Sequence, residues 1–359
     1  MAFPNRVWER GGLKQHTVTQ QFARNFGCVF VGLFALVATS ALFHALLPPI
    51  VPKGVAAKLE FFAQHKDDFD ALLVGTSSIY YSISPEIFDR TTTESGLPTR
   101  TFNFGIDAMH PPENFYVLDQ ILKTQPRNLK WVFLETADIE TKLHKVLGTE
   151  RAVYWHDWPR TKLALRKALN PRGNARWYIR ISRLWVARRD LAAHLKLFAQ
   201  RFANVGRGVE LIFPKRNDRT NEAELELGPR RDGYRLAGHA MSAEQAANFQ
   251  QRLAQEIAQA RPKLLDPVAD EAYRDYAQRI RTIGAAPLFV VPPLIFQSPI
   301  SFREPPPAPG PLLSFNDARA YPMLFDTQFR IDDAHLTREG AEEFTRLLAQ
   351  EFARRGRQP

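Results

Sequence analysis

A chain of 359 residues, 45% hydrophobic and 24% charged, has the composition of a folded protein and excludes a disordered one. Its formal net charge of +10 favours anionic surfaces such as nucleic acid, phospholipid headgroups or acidic glycans without choosing among them, and the arginines of 151–231, interleaved with acids, read as a solvated face; zinc-finger spacing, an RNA-recognition signature and a Walker loop are all missing, so nucleic acid is not an expected partner. A single cysteine, Cys28, rules out an intrachain disulfide and any multi-cysteine metal site.

The first 25 residues form a basic tail, with Arg6, Arg10, Lys14 and Arg24 against Glu9 alone. Residues 26–47, FGCVFVGLFALVATSALFHALL, carry no acidic or basic side chain other than His44. At 1.5 Å per residue the run reaches about 33 Å, enough to cross a bilayer core of about 30 Å. The flanking charges favour a cytoplasmic amino terminus. The ATSA stretch lies inside the apolar run, so an uncleaved signal anchor is expected. The expected location is therefore a single-pass inner-membrane protein with its carboxy-terminal domain in the periplasm.

Beyond a short amphipathic linker helix at 54–69, a strand–helix rhythm begins. ALLVG (71–75), TRTFNFG (99–105) and LKWVFLET (129–136) read as buried strands. PPENFYVLDQILKT (111–124) reads as a helix between the last two, which argues for parallel pairing. Residues 140–265 break the rhythm with helical stretches rich in arginine and tryptophan and form a helical insertion or cap. Within it, VELIF (209–213) is a possible strand and 217–238 a loose loop. A helix follows over 268–284, then a strand over 286–293, and a proline-rich extended loop over 303–313. The closing stretch TREGAEEFTRLLAQEFARR is a helix. The expected organisation is a tail (1–25), a span (26–47), the first part of an α/β domain (54–139), the insertion (140–265) and the second part of that domain (266–359).

Ligands and reactive groups in open α/β sheets collect at the carboxyl ends of the strands. Here those ends hold Gly75-Thr76-Ser77-Ser78, Asn103-Phe104-Gly105-Ile106-Asp107-Ala108 and Glu135-Thr136-Ala137-Asp138, and RIDDAHLTREGA precedes the last helix. A serine hydroxyl becomes a nucleophile when an imidazole takes its proton, and a carboxylate fixes the imidazole tautomer. Asp332 and His335, three apart in a turn, can serve as that pair, with Asp333 competing for the acid and Ser78 for the nucleophile. Ser77 is also a good helix N-cap, the bland reading of the same motif. Trp155 and Trp158 in YWHDW offer a sugar-stacking platform or the packing of the cap. His110, His144 and His156 read as surface or capping histidines. Glu135 and Asp138 without a nearby histidine make a weak case for a metal, and no metal or cofactor is expected.

LLVGTSSIYYSISPE, NFGIDAMHPPEN and DDAHLTREGA together resemble the blocks of the SGNH/GDSL hydrolase superfamily, closest to its membrane-anchored branch of polysaccharide O-acetylation and teichoic-acid D-alanylation proteins. The resemblance covers roughly 68–140 and 265–355. It implies a flavodoxin-like three-layer α/β/α sandwich on a parallel sheet, with Ser77 as nucleophile, His335 as base and Asp332 as orienting acid. It implies an oxyanion hole drawn from Ser77 and the segment Gly105 to Ala108. The family's third-block asparagine is absent, and Thr136 or Asp138 stands where it would act. The activity implied is transfer of an acyl group, acetyl foremost, to or from an exported polysaccharide, beside a membrane-bound O-acyltransferase partner. The alternative is a catalytically silent scaffold or glycan-binding subunit of an envelope assembly.

Overall fold

The computed structural model describes residues 12–47, 51–139, 150–169, 177–204, 207, 209–212, 220–295, 298–303 and 309–356. His144 and part of the proline-rich stretch lie outside them. In chain order the elements begin with α1 (Gly12–Leu46), α2 (Lys53–His65), β1 (Ala71–Gly75), α3 (Ser77–Tyr80), α4 (Pro85–Glu94), β2 (Thr101–Gly105), α5 (Glu113–Lys123) and β3 (Trp131–Glu135). Helices then dominate: α6 (Glu150–Tyr154), α7 (Trp158–Leu169), α8 (Trp177–Ala203), α9 (Val209–Ile212), α10 (Thr220–Leu227) and α11 (Ala243–Gln259). The last part runs β4 (Lys263–Leu264), α12 (Pro267–Thr282), β5 (Ala286–Val291), β6 (Ile300–Ser301), β7 (Leu312–Ser314) and α13 (Arg338–Gly356). The chain divides into two compact units, residues 50–198 with 217–359, and residues 1–49 with 199–216.

The larger unit is built on a five-stranded parallel sheet ordered β2-β1-β3-β5-β7. Counting only these strands, the order is 2-1-3-4-5, a doubly wound arrangement whose direction reverses between β1 and β3. A separate parallel pair joins β4 and β6. Every residue of β1 and β2 is buried, which explains why ALLVG and TFNFG read as unbroken strands without polar alternation. Alternate side chains feed two cores. Leu72, Val74, Phe104 and Val132 pack with Phe62 of α2, Phe115 of α5 and Tyr273 of α12. Leu73, Phe133 and Val290 pack with Phe88 of α4, Phe249 of α11 and Phe344 and Phe352 of α13. Helices thus cover both faces of the sheet.

Three sequence expectations are corrected. Val209–Ile212 is a helical turn, not a strand. Within 217–238, Thr220–Leu227 is a helix whose buried Leu227 joins the core, so the segment is not a loose loop. Leu312–Ser314, which starts inside the stretch read as an extended loop, is the fifth sheet strand, with Leu313 paired to Val290. The segment read as a linker is α2, which buries Val55 and Phe62 against the sheet.

In the smaller unit, Gln20–Leu46 of α1 is long and apolar enough to cross a membrane. Phe22, Phe26, Phe30 and Phe34 recur every four residues along it and are all exposed. Ser40 is its buried polar side chain, with its hydroxyl donating to the Phe202 carbonyl while the Asn204 amide donates to the Ser40 carbonyl.

Candidate active site

Ser77 stands at the first residue of α3, where β1 ends at the reversal of strand order. Gly75 and Gly105 are register partners on β1 and β2, and the Ile106 N–H donates to the Gly75 carbonyl at 3.0 Å, so the two following turns lie side by side. Close approach demands both glycines. A Cβ on Gly75 would meet Ile79 and the Glu135 carboxylate, and one on Gly105 would meet the backbone of Tyr80. Thr76 caps α3 by accepting from the Ser78 N–H at 3.1 Å. The capping task therefore belongs to Thr76, which leaves the Ser77 hydroxyl available.

The Ser77 Oγ lies 2.8 Å from His335 Nε2. His335 Nδ1 lies 2.8 Å from Asp332 Oδ2 and 3.0 Å from Oδ1. An ionised carboxylate only accepts, so Nδ1 carries the proton and Nε2 offers its lone pair to the serine O–H. Asp332 also accepts from the backbone N–H groups of Ala334 at 2.7 Å and His335 at 2.8 Å. Burial alone would raise its pKa, but the His335 ring and these N–H donors outweigh it and hold the carboxyl at about 2. The Tyr81 ring meets His335 edge to face at 5.7 Å. Asp333 turns away to Arg252 at 2.7 Å, and Ser78 is buried, so neither alternative shares this arrangement.

The turn carrying the imidazole is wound around Arg330, a residue that sequence reasoning passed over. Arg330 is fully buried and its guanidinium donates to the carbonyls of Asp332, Asp333, Pro293 and Leu324 at 2.8–3.1 Å. Ile331 and His335 close the turn with a backbone bond of 3.0 Å. Asn103 does similar work on the other side. Its amide donates to the Ile79 and Ile83 carbonyls and accepts from the Gly105 N–H at 2.8 Å, clamping α3 to β2. Lys58 of α2 is buried behind the same strand end and donates to the carbonyls of Asn103, Gly105 and Gly233. Burial draws its pKa down to about 7 against the opposing pull of Glu226 and Asp232.

These contacts revise the expected oxyanion donors. The Gly105 N–H is spent on Asn103 Oδ1, and the Thr136 N–H is spent on the Val290 carbonyl at 2.8 Å, so neither faces a substrate. Asp138 is committed to Lys263 at 3.0 Å. The N–H groups of Ser77 and Ala108 make no hydrogen bond within the described residues, and Ala108 is exposed with φ of 52°. Trp155 is corrected as well. It is 4% exposed and stacks on the ring of His156 at 3.7 Å, with no face open to a sugar. Trp158 is 54% exposed and leans on Phe198 at 5.5 Å. His156 is buried and bonded to His194 at 2.9 Å, whereas His110 is exposed. Among the described residues no group of three or more His, Cys, Asp or Glu is arranged to hold a metal ion. No protein-family model, curated protein or solved structure matches this chain.

Proposed function

We propose that this chain is a membrane-anchored serine acyltransferase or esterase with an SGNH-like, flavodoxin-type α/β domain held in the periplasm. The observation that carries the reading is the unbroken relay Ser77–His335–Asp332, with both bonds at 2.8 Å, at the strand ends where the sheet order reverses. Ser77 Oγ attacks an acyl carbonyl while His335 Nε2 takes its proton. Asp332 stabilises the imidazolium, and the Ser77 and Ala108 N–H groups meet the developing oxyanion. The imidazolium then protonates the leaving oxygen, which gives acyl-Ser77. A sugar hydroxyl or water then gives its proton to His335 Nε2 and attacks the acyl carbon; the bond to Ser77 Oγ breaks, and the imidazolium returns the proton to Ser77. The substrate class is an exported polysaccharide bearing O-acetyl or similar esters, and a membrane-bound O-acyltransferase is the partner that would supply acyl groups.

A second reading, a silent scaffold or glycan-binding subunit, draws on one observation: the Gly105 and Thr136 N–H groups are spent, which leaves Ser77 and Ala108 of the four expected oxyanion donors. Loss of one donor costs about 10²–10³ in rate. A fluorophosphonate probe separates the readings. The parent protein is expected to be labelled and Ser77→Ala is not; a parent that stays unlabelled while fully folded would refute the enzyme. Comparing 4-nitrophenol release from its acetate in water and with added oligosaccharide then divides esterase from transferase.

A further inference from the structure

Glu135 ends β3 with its side chain buried, and no cation of the described residues is bonded to it. Its carboxylate reaches across to the turn between β1 and α3. Oε2 accepts from the Thr76 N–H at 2.5 Å and Oε1 from the Thr76 hydroxyl at 3.0 Å. The same hydroxyl accepts from the Ser78 N–H at 3.1 Å. Glu135, Thr76 and Ser78 therefore form a chain of hydrogen bonds that grips both neighbours of Ser77 and leaves Ser77 itself ungripped. A burial cost of this size needs a compensating use, because an enclosed carboxylate without a cation is unfavourable.

We infer that Glu135 is a positioning residue for Ser77: through Thr76 it fixes the turn that aims the serine Oγ at His335 and its N–H at the oxyanion. The inference rests on Ser77 being the nucleophile. An ionised Glu135 accepts both Thr76 donors. A protonated one donates to the Thr76 hydroxyl, whose own hydrogen then has no other acceptor among the described residues. Aim is thus tightest in the ionised form. Burial raises the pKa of this carboxyl to about 7, against the two Thr76 bonds that lower it. The other groups facing it leave this account intact. The Tyr273 hydroxyl of α12 lies 3.0 Å from the Ala137 carbonyl and 3.2 Å from that of Glu135, and burial holds it protonated. Asp138, further along the same strand end, is neutralised by Lys263. Its register partner on β5 is the apolar Val290.

The test is the fluorophosphonate labelling rate of the full-length protein in detergent, read across pH 5–9, for the parent, Glu135→Ala and Glu135→Gln. The Ala variant is expected to be slower by about 10²-fold, the cost of a misplaced nucleophile. The Gln variant can donate to the Thr76 hydroxyl and accept from its N–H, so it is expected to recover part of that loss. It is also expected to have a shallower acid limb than the parent, one proton steep rather than two. A purely structural side chain would lower thermal stability without changing the order of the acid limb. Should the Ala variant fail to fold, the Gln profile decides the matter alone. Parent-like labelling of Ala, or a Gln profile that superimposes on the parent's, would overturn the positioning role while leaving Ser77 as nucleophile. No labelling of the folded parent would remove both claims together.

Discussion

Asp332 does two jobs with one carboxylate: it ties its own turn through two backbone N–H groups and it holds the His335 ring. Asp332→Asn keeps the size and loses both the charge and the enforced tautomer, so labelling of Ser77 is expected to fall on the order of 10⁴-fold with the fold intact. His335→Ala is expected to remove labelling altogether, and a His335→Ala protein labelled like the parent would sink the relay. The pH dependence of stability has a definite sign here. The folded carboxyl sits at about 2, below its unfolded value of about 3.9. Its contribution is therefore fully present above pH 4 and is lost as pH falls through 2. Urea unfolding between pH 5 and 2 should show a steeper acid loss for the parent than for Asp332→Asn. Lys58 supplies a stability counterpart. Lys58→Met would abandon three carbonyl acceptors at the end of β2 and beside it, each costing about 1–3 kcal/mol when left buried and unpaired. A clear drop in urea midpoint is expected, larger than for any exposed lysine.

The meeting of β1, β2 and α3 is a close-packed joint of the larger unit. Gly105→Ala would drive a methyl into the backbone N and Cα of Tyr80, which cannot swing aside as a side chain tip can. Destabilisation of about 1–3 kcal/mol is expected from overpacking, together with slowed labelling because α3 carries Ser77; an unchanged melting temperature would show that the joint yields. The elements most legible in the sequence are those whose residues are buried throughout. ALLVG matches β1 residue for residue, and β2, β3 and β5 lie within their expected ranges. The missed ones have weak local signals. Leu312-Leu313-Ser314 owes its strand state to the open edge of β5, and proline-rich surroundings mask it. TNEAELEL has almost no apolar stripe, and Leu227 is the residue that anchors it. The site divides in the same way. Ser77, Asp332 and His335 stand at strand ends and before a helix, where the topology rule and the family likeness both point. Arg330, Lys58 and Glu135 are charged types that composition assigns to the surface. Their burial depends on carbonyls and N–H groups brought from distant parts of the chain, which no local window contains.

At the scale of the molecule, the apolar helix and the α/β unit make separable demands. Deleting residues 1–49 leaves the two cores of the sheet intact, because none of their members precedes Val51. The truncated chain is expected to fold cooperatively, with faster hydrogen exchange confined to residues 199–216, which belong to the same compact unit as α1. Failure to fold in any solvent would show that the helix is needed by the sheet. Orientation is tested by fusing alkaline phosphatase after Pro359. Activity is expected from a periplasmic carboxy terminus, and an inactive phosphatase with a fluorescent cytoplasmic fusion would reverse it. The parallel sheet also sets a schedule. β3 pairs with β5 across the whole helical insertion, so Trp131 waits for Ala286, and Ser77 meets His335 only when the last turn before α13 is in place. Pairings between such remote segments make folding slow compared with a chain of local contacts. During synthesis Ser77 leaves the ribosome long before His335 does. On the function proposed above, a nascent chain, or one cut short before α13, is chemically inert, and the first appearance of a reactive serine is a clock for the completion of folding.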